Sequence, residues 1–207
     1  MIYLLDANVL ITANSAYYPL DQVPEFWSWV FYQATSSQIK IPHEIMEEIE
    51  AGRKDDDPLL DWIRTPEIKG ALLLDEAVDA ALVQQVVSMG YAPDLSDDDI
   101  EKIGRDPFLI AYALAYPKDR TVVTTDVSRP SAQRANRKVP DVCQVVGVVS
   151  CGPFALSKAL GFSTGWKTSG LMCSAVSRPQ HRIVIRHEPS ARHWKQEYSG
   201  PAFRYQA

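Results

Sequence analysis

Cysteine is scarce and spaced without pattern: Cys143, Cys151 and Cys173 are the three in a chain of 207 residues. An odd number with no framework spacing excludes a disulfide-stapled secreted scaffold and fits a reducing compartment. Long hydrophobic runs are missing as well. No stretch approaches the roughly 18–20 apolar residues that span a bilayer. The opening Met1-Ile2-Tyr3-Leu4-Leu5-Asp6 has no basic region and meets an aspartate too early for a signal peptide. A cytoplasmic protein without a membrane segment is expected. Positive charge is also in short supply. Lys and Arg number 21 against 26 Asp and Glu, for a formal charge of −5, so bulk electrostatics cannot hold a polyanion. A grip on one would need a local basic patch, and clustered acids would need a counter-ion.

What is present suits a folded α/β chain. Hydrophobic residues make up 46% and charged residues 23%, enough for a sizeable core. The charge is unevenly spread: residues 167–207 hold seven Lys/Arg against two Glu, leaving fourteen basic and twenty-four acidic groups in the first 166. That contrast divides the chain into a domain over 1–166 and a basic C-terminal tail over 167–207, loosely ordered or docked. Within the tail, Ile183-Val184-Ile185 is the one apolar run, and His181, His187 and His193 recur near Cys173 without the spacing of a zinc finger.

Along the domain, strand and helix patterns alternate. Ile2 to Leu5 reads as a buried strand and Gln38 to Ile41 as a second, stopped by Pro42. Thr121 to Thr125 is β-branched and reads as a third, and Gln144 to Val149 as a fourth. Helices are expected from Asn8 to Ser15, Phe26 to Gln33, His43 to Ala51 (closed by Gly52), Glu76 to Met89, Phe108 to Ala115 and Pro153 to Leu160. Ser96-Asp97-Asp98-Asp99 resembles a capping box opening a further short helix. Arg53 to Pro58 is a charged loop. The alternation implies a mostly parallel sheet.

Two of these strands end in aspartate, Asp6 and Asp126. Ligands of open parallel sheets sit outside the carboxyl ends of the strands, so the two acids belong to one edge. Taken singly, each aspartate need only start a polar loop. Asp106 precedes Pro107 and an apolar helix, which by itself suits a helix N-cap. In helix 43–51, Ile45, Met46 and Ile49 form the apolar stripe and Glu47 lies opposite it. Glu48 and Glu50 flank the stripe, and periodicity does not choose between them. Two carboxylates about 4 Å apart repel by about 4 kcal/mol at an effective dielectric near 20, so several cannot stay ionised together without a cation. All-oxygen donors suit Mg²⁺ or Mn²⁺ rather than zinc, and such an ion can bind a phosphate oxygen and activate water.

Four segments carry a family likeness. Leu4-Leu5-Asp6-Ala7-Asn8-Val9-Leu10 resembles the opening signature of PIN domains. Ile41-Pro42-His43-Glu44-Ile45-Met46-Glu47-Glu48-Ile49 is similar to their second motif, in which the acid stands just before an aliphatic residue; that selects Glu48. Asp106 to Ala111 resembles the third and Val122 to Asp126 the fourth, while Pro140-Asp141-Val142-Cys143 resembles a PIN subfamily of otherwise undescribed function. The likeness runs from residue 1 to about Trp166. It implies a Rossmann-like three-layer α/β sandwich and an Mg²⁺- or Mn²⁺-dependent endoribonuclease with Asp6, Glu48, Asp106 and Asp126 holding the ion. Asn8 and Thr125 are expected to orient ligands or water. The partners implied are an RNA substrate and, as in many bacterial members, an antitoxin protein that neutralises a toxin; a homodimer is a further expected assembly.

Arg129, Arg134, Arg137 and Lys138 follow Asp126 and could hold RNA phosphates, against the plainer reading of a solvated basic loop. Trp27, Trp29, Phe26 and Phe31 could stack bases, though an aromatic helix is more often core. Two rivals stand beside the nuclease. In a phosphohydrolase of the haloacid-dehalogenase type Asp6 would be the nucleophile, but Asn8 occupies the position of its general acid. A catalytically inert PIN-like module that binds RNA or protein would have no need of four acids.

Overall fold

The computed structural model describes residues 1–51 and 57–167. Four short strands form its sheet: β1 (Ile2–Leu5), β2 (Ile39–Lys40), β3 (Arg120–Val123) and β4 (Val149–Cys151). Their order is β2-β1-β3-β4, and every pairing is parallel. Central strands of a parallel sheet are covered on both faces, which is why Leu4, Leu5, Val122 and Val123 are all buried with no polar alternation. The sheet is the middle layer of a three-layer, Rossmann-like α/β sandwich.

The helices are α1 (Ala7–Thr12), α2 (Pro24–Thr35), α3 (His43–Ala51), α4 (Pro58–Arg64), α5 (Pro66–Leu72), α6 (Ala80–Gln85), α7 (Asp97–Ile103), α8 (Asp106–Leu114), α9 (Val139–Val146) and α10 (Pro153–Ala159). Two of them run on into π-helical turns, α1 through Ala13–Tyr17 and α6 through Val86–Tyr91. The expected capping box is present: Ser96 Oγ accepts from Asp99 N–H and Asp99 accepts from Ser96 N–H. No helix among the described residues is long and apolar enough to cross a membrane.

Several expected elements fall elsewhere. Gln144 to Val149 is not a strand. Val139, Val142, Cys143 and Val146 repeat at three- and four-residue spacing, Pro140 sits in the first turn, and Gly147 at φ 80° ends α9, leaving Val149–Cys151 for β4. The helix expected from Glu76 starts at Ala80, because the Asp79 carboxylate accepts from Ala81 N–H at 2.8 Å and caps it there. Glu76 instead accepts two bonds from the buried guanidinium of Arg120, at 2.6 and 2.7 Å. Pro58 and Pro66 open two short helices that the sequence reading left unassigned. Asp106 is the first residue of α8 and not its N-cap, a place taken by Arg105.

The aromatic helix α2 is core. Trp27 and Trp29 are buried, and Phe26 stacks on Tyr18 with centroids 4.2 Å apart, so those rings form no base-stacking surface. The indole of Trp166 donates to the Glu25 carbonyl at 3.1 Å, which lays the end of the domain back onto α2. Gly52, much of the charged loop after it and the tail beyond Lys167, with its histidines, Cys173 and the apolar run at 183–185, lie outside the described residues.

Candidate functional site

The register of the sheet builds the site. Leu5 is paired with Val123, so the next residues out, Asp6 and Thr124, stand side by side at the carboxyl edge. Asp6 N–H donates to the Val123 carbonyl at 2.9 Å, and the Thr124 hydroxyl donates to Asp6 Oδ2 at 2.7 Å. The same hydroxyl accepts from Asp126 N–H at 3.0 Å, curling the chain so that Asp126 returns to the edge. Thr124 is the supporting residue that the sequence reading missed in favour of Thr125; Asp6 and Thr124 are 5% and 3% exposed. The Asn8 side chain is exposed, and it is the Asn8 backbone N–H that serves the Asp6 carboxylate.

Asp106 arrives by a turn that needs glycine. Gly104 adopts φ 53°, ψ −123°, a conformation closed to side-chain-bearing residues, and this lets α7 stop and α8 begin two residues later. Arg105 then ties the start of α8 to α3, donating to the Glu44 carbonyl at 2.5 Å and to Glu47 Oε2 at 2.6 Å.

That bond also sorts the glutamates of α3. Glu47 is held by Arg105 and by His43 at 3.1 Å, and Glu50 by Lys69 at 2.5 Å. Glu48 is the one whose carboxyl feels the charge of Asp6. Of the two that periodicity left open, Glu50 is paired with Lys69 and Glu48 is coupled to Asp6.

The four acids from four chain segments share one electrostatic field. Burial, then the charges of Asp6, Asp126 and Glu48, push Asp106 up to about 7. Burial also raises Asp6, with Asp126 adding to it and the Thr124 hydroxyl and Asn8 N–H opposing. Partial desolvation and the charge of Asp6 raise Glu48, although its side chain is exposed. The phenol of Tyr91, at the end of the π-helical turn, is 6% exposed, and burial, then the charge of Asp106 and a hydrogen bond with it, push its pKa up. Cys143 lies behind Asp106, a buried thiol raised to about 12 and chemically quiet.

These donors are all hard oxygens carrying surplus negative charge, which in kind fits Mg²⁺ or Mn²⁺. They share a field and not yet a ligand sphere: among the described residues, no three His, Cys, Asp or Glu side chains stand close enough to hold a metal ion as they are placed.

The basic loop divides. Arg134 is bound to Asp94 at 2.8 Å and Asp99 at 3.1 Å, and Arg137 to the carbonyls of Gly90 and Asp141, so both are anchored within the fold. Arg129 is exposed. Lys138 Nζ lies 3.4 Å from Asp126 Oδ1, inside the acidic edge. Asp141, singled out only as part of a motif, organises this loop: it is buried and accepts from the Ser128 hydroxyl at 2.5 Å and from Arg129 N–H at 2.7 Å.

Comparisons with curated proteins and with solved structures each gave no match. A family model described as a domain of unknown function, DUF4411, matches residues 3–164. That span takes in all four strands and every acid of the edge, and the chain belongs to the DUF4411 family.

Proposed function

We propose that this chain is a divalent-metal-dependent endoribonuclease of the PIN type, acting through Asp6, Glu48, Asp106 and Asp126. One observation carries the reading: near the carboxyl edge of a parallel sheet, burial and the charges of Asp6, Asp126 and Glu48, from three other segments, push Asp106 up to about 7. Such mutual destabilisation persists where a function needs it. Mg²⁺ or Mn²⁺ held by these oxygens supplies positive charge toward a phosphodiester and lowers the pKa of water.

The chain's own residues do the positioning. Thr124 fixes Oδ2 of Asp6, and the N–H groups of Asn8 and Ala7 also serve that carboxylate. Val139 N–H and the Lys138 ammonium face the two oxygens of Asp126, each at 3.4 Å. Arg105 keeps α3, and with it Glu48, at a set distance from Asp106. In this reading Arg129, which is exposed, meets an RNA phosphate.

The resemblance to PIN toxins extends the proposal to a cytoplasmic toxin restrained by an antitoxin that covers the acidic edge. Growth arrest on expression, relieved by a neighbouring gene product, is the expected result.

A second reading has one observation in its favour. The acids are not drawn into a ligand sphere as they are placed, as in an inert module that binds RNA or protein. One assay separates the two: purified protein incubated with mixed RNA, with Mn²⁺ or with EDTA. The nuclease reading expects Mn²⁺-dependent cleavage that Asp6→Asn and Asp126→Asn abolish. No cleavage, or cleavage undiminished in EDTA, overturns it.

A further inference from the structure

A polar pocket lies at the opposite end of the sheet from the acidic edge. It is a cavity of about 330 Å³, formed where the start of α6 meets the end of α8 and the start of β3, with Asp79, Tyr116 and Arg120 in its wall. That size is within the range of small-molecule sites. Arg120 is only 4% exposed. Its Nη1 donates to the Tyr112 carbonyl at 2.9 Å, and its Nη2 donates to both oxygens of Glu76. The Nε–H has no partner among the described residues, and a buried guanidinium donor is costly to leave unpaired. Asp79 spends Oδ1 on the Ala81 N–H at 2.8 Å, which leaves Oδ2 without a partner among the described residues. The ring of Tyr116 is 53% exposed, with the Arg120 guanidinium carbon 4.3 Å from its centroid.

These features constrain what the pocket can take. Arg120 asks for an acceptor and repels a cation, while Glu76 and Asp79 together outweigh its charge and disfavour a phosphate. The exposed aromatic ring suits a planar partner. A neutral heteroaromatic ring with both acceptors and N–H donors meets all three demands. Guanine does so, with O6 and N7 as acceptors and its N2 amino group as donor; adenine places a donor where guanine has O6. We infer that this pocket binds a guanine base of single-stranded RNA, with Arg120 donating to the base, Asp79 accepting from it and Tyr116 lying against it. The RNA source of the base rests on the nuclease reading; the chemistry of the pocket does not. Helix α8 joins the two places: Asp106 is its first residue and the pocket is at its other end, nine residues and about 13 Å away. One strand of RNA can thus offer a phosphate to the acids and a base to the pocket, which gives the site a sequence preference.

The full chain, labelled with ¹⁵N and kept in EDTA so that no cleavage intervenes, is titrated with guanosine, adenosine, cytidine and uridine. Guanosine is expected to shift the amide signals of Ala111 and Ala115, in the pocket wall, and to bind about tenfold more tightly than adenosine. Tyr116→Ala, at an exposed ring, is expected to weaken guanosine about tenfold. Asp79→Asn keeps an acceptor for Ala81 and turns the second oxygen into a donor. It is expected to bring the guanosine-to-adenosine preference down to about one, a change of ratio that a merely structural role would not produce. A single-stranded RNA hexamer containing one guanosine should displace the nucleoside, and the same hexamer with uridine in its place should not. No binding, equal binding of all the nucleosides, or a preference unmoved in Asp79→Asn overturns the inference. Guanosine binding that the hexamer cannot displace overturns it too, by marking a free nucleoside as the ligand. Each of these results spares the nuclease reading, which stands or falls on Mn²⁺-dependent cleavage.

Discussion

The hydroxyl of Thr124 donates to Asp6 Oδ2 at 2.7 Å across the central pair of strands, and both residues are buried. A buried carboxylate with one good donor depends heavily on it, since removing a partner leaves the acceptor's full desolvation cost. Thr124→Val keeps the shape and deletes the bond. It is expected to destabilise the fold by about 1–2 kcal/mol, lowering Tm by roughly 2–8 °C for a domain of this size, and to push Asp6 higher still. Thr125→Val should leave melting almost unchanged. Equal effects of the two in thermal denaturation would count against the geometry.

The glutamates of α3 separate by their partners. Glu48→Gln removes an acid from the shared field and is expected to abolish RNA cleavage while leaving Tm equal or higher. Glu50→Gln breaks a partly exposed pair with Lys69, costs less than about 1 kcal/mol and should retain full cleavage. Cleavage assays with the two purified variants decide this; a dead Glu50→Gln beside an active Glu48→Gln would reverse the assignment.

Asp106 makes stability fall with rising pH. Its folded pKa of about 7 lies above the unfolded value of about 3.9, so between those two values the folded state binds more protons. Its unfavourable contribution is therefore absent below about pH 4, grows as pH rises through 7 and is complete above that. In EDTA, wild type should melt lower at pH 8 than at pH 5.5. Asp106→Asn should flatten that slope and exceed wild type at pH 8 by roughly 1–3 kcal/mol. Mn²⁺ added to wild type at pH 8 should have a similar effect. An unaltered slope in Asp106→Asn would show that the acids do not share a field.

Two glycines offer a matched test of packing. A Cβ on Gly90 would meet Val142 Cγ1 at 2.5 Å, where the π-helical turn presses on α9, whereas a Cβ on Gly70 meets nothing within 4 Å. Gly90→Ala is expected to cost about 1–3 kcal/mol by overpacking and to displace Tyr91 beside it. Gly70→Ala, inside α5, should be neutral or stabilising by up to about 1 kcal/mol. Chemical denaturation of both reads the difference directly.

Much of the sheet was readable because strand ends and chemistry lie close together: Leu4-Leu5-Asp6 marks the end of β1, while the β-branched run before Asp126 locates β3, which stops at Val123, short of the expected Thr125. Thr124 was not readable in the same way. Alternation distinguishes the faces of a half-exposed strand, but β3 is buried throughout, and only the pairing of Leu5 with Val123 places Thr124 opposite Asp6. A register argument from two edge aspartates would have found it. The misreading of 144–149 has another cause: the apolar spacing that marks α9 begins at Val139, ahead of Pro140, and starting after the proline hides its period. Glu48 could be separated from Glu50 from residues alone only by family likeness, because the deciding partners, Arg105 and Lys69, come from distant segments.

The position of β1 between β2 and β3 has a consequence for the order in which the protein is made. Asp6 leaves the ribosome ahead of Val123, whose carbonyl accepts from its N–H, and of its hydroxyl donor Thr124, both of which emerge more than a hundred residues later. Contacts of such long sequence separation form late in folding. Asp106 and Asp126 follow the same schedule, so a nascent chain carries isolated acids, each solvated and chemically idle. The edge closes only once the whole span from Asp6 to Asp126 has been made, so the mutual repulsion of its acids is met late, after most of the core that opposes it can form.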